Sequence, residues 1–527
     1  MKKTITLMFG LLLTAMALAQ GGQKLNLVVG DFTGDYSRDQ RENVIRELCK
    51  AHRANVIEKG CYDALPAEVR AKMNIDAVIT AKCAIKTERK EVEKYEKGGK
   101  KKGVEFSTQF TTQMTFTNPK TGQKILEPLF ESNATEDTRD ESINKALAVG
   151  HTKGKQTFVI VQLLTLDEYL QEKYPMRATI ATVNESKKGK AEYVTINIGG
   201  KSAVYRGQTF EVIEDNGGKE KRWGKLRVRE INSDTTATCS VEKGGKDIMK
   251  AMENGDVNVI SYVQALSLND IVRVEQEAPV LNISSPEDVK KRNVAFGTIT
   301  GNPPAEFTNA VKKNMKDNRR INAFEMGAAN SPAANTLDGI ALGYFTGMHS
   351  SSRLVKADEE LLVLKDYTEY KTWVGWFLFI VNPQTGEIMY CGNESHTATS
   401  DKSAAEAKET AILVASDITS SSYNAYPLIG TIATIDESNS DQDKAKKVTI
   451  DLGSDYPIYT GLRFDVYSED AANGWEKIGR IEVTEITDGT HASCKVKKGG
   501  DEIRKALEEG LPIRITTFIL KEFFDIW

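Results

Sequence analysis

The chain has 527 residues, 70 Lys+Arg against 74 Asp+Glu, 40% hydrophobic and 27% charged residues. At about 100 to 200 residues per domain that is about three to five cored domains, and the apolar fraction excludes a largely disordered or collagen-like chain. A formal charge of −4 leaves no sequence-wide basic footprint for neutralising phosphates, which argues against a nucleic-acid partner.

Residues 1–19 carry the pattern of a secretory signal: Lys2 and Lys3, an apolar run from Ile5 to Leu13, and Ala17-Leu18-Ala19 before Gln20. Cleavage there would remove two lysines and no acids, giving a formal charge of −6. No Cys follows the site to take a lipid anchor, and no later stretch reaches the ~18 apolar residues that span a bilayer. The pattern predicts export to the periplasm, with secretion as the alternative, and no transmembrane segment in the mature chain.

The first predicted module, A, occupies 20–170. It opens with a strand, Leu25 to Val29, followed by Ser37 with Gln40 in capping-box spacing and a helix bearing Val44, Ile45, Leu48 and Cys49 on its core face. A second strand (Ala54 to Glu58), a short helix after Pro66, and strands Asp76 to Ile85, Phe106 to Thr117 and Gln123 to Phe130 come next. The last two are joined at Asn118-Pro119-Lys120-Thr121-Gly122. A final helix is predicted from Asp140 to Leu166. The outcome is an α+β sandwich, with helices over one sheet.

Module B, 174–263, alternates apolar and polar residues over six short strands. A helix from Lys246 to Glu253 interrupts them and ends before Gly255. That combination predicts a small closed β-barrel with one helix plugging its end. A linker follows at 264–292, where Pro279, Ser284, Ser285 and Pro286 punctuate the chain.

The second half repeats the first. YPMRATIATV (174–183) returns as YPLIGTIATI (426–435), VTINIGG (194–200) as VTIDLGS (448–454), and VYRGQTFEV (204–212) as IYTGLRFDV (458–466). ATCSVEKGGKDIMKAMENG (237–255) returns as ASCKVKKGGDEIRKALEEG (492–510), with Cys239 and Cys494 in register. Module A matches 293–422 more weakly, pairing Gly30 with Gly297, Val44 with Val311 and Glu58 with Glu325. A period this long means duplicated domains, since solenoid repeats run at about 20–50 residues. The predicted fold class is therefore α+β: two tandem copies of an α+β sandwich domain followed by a small β-barrel, namely A, B, A′ (293–422) and B′ (426–520), then a tail at 521–527. Short connections within each half and a long one between them place the expected hinge at 277–292.

Candidate chemistry is sparse. The histidines His52, His151, His349, His396 and His491 show no HExxH spacing and no evident partner. GHTKGK (150–155) and GGKEKRWGK (217–225) each miss the phosphate-loop spacing by one residue and lack its strand-loop-helix setting. No GxSxG elbow appears. Six cysteines are too few for a disulfide scaffold and have no zinc spacing; most read as buried thiols, and Cys49 with Cys61 is the one bridge to test. Catalytic, cofactor-binding and metal positions are assigned to no residue, no cofactor is expected, and partner-binding positions stay open. ERKEVEKYEKGGKKKG (88–103) reads as a solvated hairpin tip, with a basic contact to an anionic lipid or polymer as the functional alternative. Trp373, Trp376, Phe377 and Phe379 read as core and domain-packing residues, with a partner surface second. FILKEFFDIW at the terminus reads as a last strand and a short tail.

VVGDFTG with the helix after it, NVIEKG, DAVITAKCAI and the NPKTGQKI hairpin resemble the domain shared by the curli secretion component family, the TolB N-terminal domain and the penicillin-binding-protein activator lipoproteins. The run GTI, VTIDLGS, IYTGLRFDVY and IGRIEVTEI in B′ is similar to the C-terminal barrel of the flagellar assembly protein T family. A′ departs from the first pattern with TITG in place of DFTG. The resemblance implies a non-catalytic envelope adaptor, or an assembly or secretion factor, that works through protein-protein contacts, and not an enzyme. Its partner would be an envelope protein of unknown identity. The alternative is a binding module for a cell-wall or surface ligand. In the curli family hairpins near 88–103 would span a membrane; Glu and Lys at almost every position here oppose that.

Overall fold

The computed structural model describes residues 24–50, 54–96, 99–138, 170–199, 202, 204–205, 207–215, 220–233, 235–262, 291–327, 332–333, 336–356, 365–439, 444–470 and 474–518. The signal-like segment, the predicted helix Asp140 to Leu166, most of the linker, GHTKGK and the tail lie outside them. The chain divides into two compact units: Met1–Lys59 with Ile75–Leu281, and Gly60–Asn74 with Asn282–Trp527.

In the first unit, β1 (Leu25–Gly34) lies parallel between β2 (Ala54–Glu58) and β3 (Ala77–Glu96). β4 (Gly99–Thr117) pairs antiparallel with β3, and both β5 (Lys124–Leu126) and β6 (Leu129–Thr138) pair with β4. The helix α1 (Ser37–Lys50) buries Val44, Ile45 and Leu48, so the apolar stripe faces the core as its spacing requires. Ser37 is the first helical residue, and the Gln40 amide bonds the Tyr36 carbonyl. Arg41 on α1 donates to the Gly30 carbonyl at 2.7 Å and pairs with the buried Glu58, tying helix to sheet.

Two short helices, α2 (Lys59–Ala64) and α3 (Ala67–Lys72), separate β2 from β3. The stretch Gly60–Asn74 counts with the second unit. Cys61 is fully buried, and its thiol donates to the Gly343 carbonyl at 3.1 Å. Lys72 Nζ donates to the Pro383 carbonyl at 3.2 Å. Cys61 is thus a free thiol, and the tested Cys49–Cys61 bridge is not formed; Cys49 and Cys391 are the disulfide-bonded cysteines.

The closed barrel of the first unit consists of β7 (Arg177–Lys187), β8 (Lys190–Ile196), β9 (Thr209–Asp215), β10 (Glu220–Ile231), β11 (Ala237–Lys243) and β12 (Val257–Ser261), ordered β10-β11-β8-β7-β12-β9. The helix α4 (Gly245–Asn254) plugs it with the buried Ile248, and Met252 packs partly buried against the same core.

The sheet of the second unit has β13 (Arg292–Thr300) parallel between β14 (Ile321–Glu325) and β15 (Gly339–Val355). β16 (Tyr367–Val381) then pairs with β15, β17 (Ile388–Asn393) and β18 (His396–Ser400). Helices α5 (Ala305–Asp317), α6 (Ala404–Ala415) and α7 (Thr419–Ala425) complete it. Its order, β14-β13-β15-β16-β17 with β18 on β16, reproduces that of the first sheet. Register shifts fall at matching places, between Val29 and Phe32 and between Phe296 and Ile299. Beyond each, a glycine turns at positive φ, Gly34 at 91° and Gly301 at 84°. A Cβ at either would sit 2.1 Å from a carbonyl oxygen of the neighbouring strand. The two predicted turns also coincide: Asn118 Oδ1 accepts from the Lys120 and Thr121 amides, and Asn382 Oδ1 from those of Gln384 and Thr385.

The last domain is a seven-stranded sheet: β19 (Ile429–Gly430), β20 (Ile432–Asn439), β21 (Lys444–Ile450), β22 (Arg463–Asp470), β23 (Gly474–Ile486), β24 (Ala492–Lys498) and β25 (Ile513–Phe518), with α8 (Gly500–Glu508). Its order is β19-β25-β22-β23-β24-β21-β20. The two edge strands are therefore consecutive pieces of chain, so the expected second closed barrel is interrupted at Thr431. There the Thr431 hydroxyl bonds the Ile513 carbonyl at 2.8 Å, whereas its amide bond to Asp451 Oδ1 at 2.6 Å has a counterpart, Thr179 to Asn197 Oδ1, in the closed first barrel. Cys239 faces Val194 and Val228, and Cys494 faces Val448 and Val483. Both are free and fully buried, and burial pushes each thiol up to about 12.

Candidate functional site

The described histidines stay apart. His349 lies in β15, His396 starts β18, and His491 sits in the turn after β23, where Nδ1 is 3.2 Å from Asp488. Lys225, at the end of the second phosphate-loop-like segment, lies within strand β10. Among the described residues no group of three or more His, Cys, Asp or Glu could hold a metal ion, and no helix is long and apolar enough to cross a membrane.

One buried charge has a clear structural task. Arg320 is fully buried, donating from Nε to the Tyr426 carbonyl at 2.6 Å and from a terminal nitrogen to that of Pro427 at 3.3 Å. Burial, and then the nearby Arg292 charge, lower its guanidinium to about 10. It thereby grips the turn between α7 and β19. Tyr423 donates its hydroxyl to the Pro457 carbonyl, and Arg319 lies 5.7 Å over the Tyr459 ring. The Tyr426 hydroxyl occupies the place a Cβ on Gly339 would need, 2.0 Å away. These contacts lock the six-stranded sheet to the last domain inside the second unit.

The more open feature is the length of the hairpins. β3 and β4 pair continuously from Val78↔Thr117 to Glu96↔Gly99, and β6 joins them from Gln113↔Leu129 to Val104↔Thr138. The run 88–103 is thus ladder, not the loop between shorter strands expected from composition. Main-chain pairing outweighs the weak strand preference of these residues; Lys86 and Glu88, both exposed, pair at 2.7 Å. The second unit repeats this device, with β15 and β16 paired out to Val355↔Tyr367. Its inner part is core: Trp376, Phe377 and Phe379 are each fully buried, as expected of that aromatic strand. From His349 to Leu354 β15 is exposed, Leu354 at 59%. Trp373 belongs to this outer stretch, stacked on His349 with ring centroids 5.5 Å apart. Strand length was the missed signal, because composition marks where burial ends and not where pairing ends.

No family model and no curated relative matches the chain. Among solved structures it is similar to a putative neuraminyllactose-binding hemagglutinin homolog from Helicobacter pylori, at 10% identity over 29% of this chain and 91% of that one, TM-score 0.21. It is also similar to lipoprotein GNA1162 from Neisseria meningitidis, at 8% identity over 25% and 97%, TM-score 0.14. TolB from Acinetobacter baumannii aligns over 91% of this chain and 95% of its own at 9% identity, TM-score 0.13. These neighbours are bacterial lipoproteins or other bacterial proteins and TolB; the likenesses are weak and partial, and neither the curli secretion nor the flagellar assembly family is among the three.

Proposed function

We propose that the protein is a non-catalytic, exported adaptor of the bacterial envelope, arisen by tandem duplication, that joins other envelope proteins through its paired-strand ribbons. The observation that carries this reading is the ribbon itself: long strand pairs in both units, with β15 of the second exposed beyond the core. Exposed strand pairs beyond a core add nothing to burial, whereas they present side chains in fixed register to a partner. Two of the buried charges have structural tasks: Glu58, with Arg41, joins helix to sheet, and Arg320 holds a turn. The sequence resemblance to envelope adaptor families and the signal-like start point the same way.

Site-specific photocrosslinking in intact cells tests it. Photoreactive residues at Glu91, Ser107, Ser352 and Leu354 are expected to capture envelope proteins, while positions on the first barrel and the last sheet, Glu214 and Lys446, are expected to capture few. Crosslinks confined to the barrels, or none at any ribbon position, would refute the ribbon as the contact element.

A further inference from the structure

The outer ribbon of the second unit carries a second kind of surface. Val374, Trp376 and Ala398 belong to the core cluster that includes α5 and α6 side chains, so the odd-numbered residues of β16 lie on the opposite face. There His349, Trp373 and Thr397 form one cross-strand row, and Ser351, Lys371 and Thr399 form the next. His349, Ser351, Lys371 and Thr399 are exposed, and Trp373 and Thr397 are half-buried. The indole leans over Gly375, where a Cβ would come within 2.3 Å of its ring. His349 stacks on it at an interplanar angle of 11°. Two parallel rings are therefore held on a flat strand pair beside a row of hydroxyls.

The neighbouring charges set the polarity. Arg353 uses Glu369, at 2.6 Å, as its partner. Among the described residues no carboxylate pairs with Lys371. An aromatic platform takes the apolar face of a ring, hydroxyls take the hydroxyls at its edge, and an ammonium takes a carboxylate. Such a set matches a carboxylated sugar better than a peptide, whose backbone would seek an unpaired strand edge, and β16 is already paired on both sides here. We propose that this face binds an acidic pyranose glycan, with Trp373 and His349 stacking on the ring, Ser351, Thr397 and Thr399 bonding its hydroxyls, and Lys371 holding its carboxylate.

The full-length protein should be titrated calorimetrically with peptide-free peptidoglycan glycan strands, whose lactyl carboxylates are free, with neutral chitohexaose, and with hexa-aspartate. Glycan strands are expected to bind, chitohexaose about tenfold more weakly, and hexa-aspartate not measurably, since one lost charge-assisted bond is worth about a factor of ten. Lys371→Gln should weaken the glycan strands to the chitohexaose level and leave chitohexaose unchanged. His349→Ala, at an exposed site that tolerates truncation, should weaken both sugars several-fold. Absence of glycan binding by the unaltered protein overturns the proposal, as does equal binding of hexa-aspartate, or glycan affinity indifferent to both substitutions.

Discussion

Replacing Arg320 by methionine removes the grip on the turn between α7 and β19 while keeping an unbranched apolar side chain in its place. Two carbonyls, those of Tyr426 and Pro427, lose a charged donor. Hydrogen bonds to charged groups contribute about 1.5–3 kcal/mol each, but a buried guanidinium also carries a desolvation cost that its removal relieves. The lowered pKa, about 10, is a sign of that cost. The net loss should therefore fall below the sum of the two bonds, at about 2–4 kcal/mol. For a unit of this size that is a fall in Tm of about 4–15 °C. Scanning calorimetry of the full-length protein measures it, and Arg320→Lys, which keeps the charge and one donor direction, should recover less than half. A Tm for Arg320→Met within about 1 °C of the unaltered protein would mean that the turn is held by its neighbours and that the grip described here is not one.

Thiol labelling should give three levels: with Cys61, Cys83, Cys239 and Cys494 buried and free, native protein should take up no iodoacetamide, denatured protein four equivalents, and denatured reduced protein six, as Cys49 and Cys391 are released; native labelling of Cys239 or Cys494 would contradict their burial. Gly34→Ala and Gly301→Ala should each destabilise by about 3 kcal/mol, because both positions combine positive φ with a carbonyl in the way, and a loss below about 1 kcal/mol at either, read from denaturant midpoints, would show that the turn relaxes. Burial holds the Asp76 carboxyl above its ordinary 3.8, against the opposing bond from the Asn26 amide. The folded state thus binds that proton more tightly than the unfolded one, and its contribution declines as pH rises past 3.8. The Tm of Asp76→Asn relative to the unaltered protein should then climb as pH rises past 3.8, and a falling difference would reverse the sign. Under reducing conditions, which release Cys49 and Cys391, cleavage within 264–292 is expected to yield two fragments that stay together until denatured, because Gly60–Asn74 belongs to the second compact unit; spontaneous separation on a reducing sizing column would argue against that grouping.

Local and periodic features were legible in the sequence. The stripe of α1, the Asn-Pro-x-Thr-Gly turns, the helix plug at Ile248 and the matched cysteines all follow from spacing, since each depends on residues near one another in the chain or on a copy of the same pattern. Alternation of apolar and polar residues marked the first barrel strands well enough to name the fold class. What spacing could not supply was decided by pairing and burial over long separations. The strands run through 88–103 because a ladder, once begun at Val78↔Thr117, continues wherever backbone partners remain in register, whatever the side chains. Cys61 meets Gly343 rather than Cys49 because the stretch after β2 folds with residues more than two hundred positions away. The second barrel is interrupted at Thr431, whose hydroxyl bonds the carbonyl of Ile513, 82 residues further on. On the polar face, Lys371 and Trp373 share a side by strand alternation alone, whereas His349 on β15 and Thr397 and Thr399 on β18 join them only once the three strands are aligned.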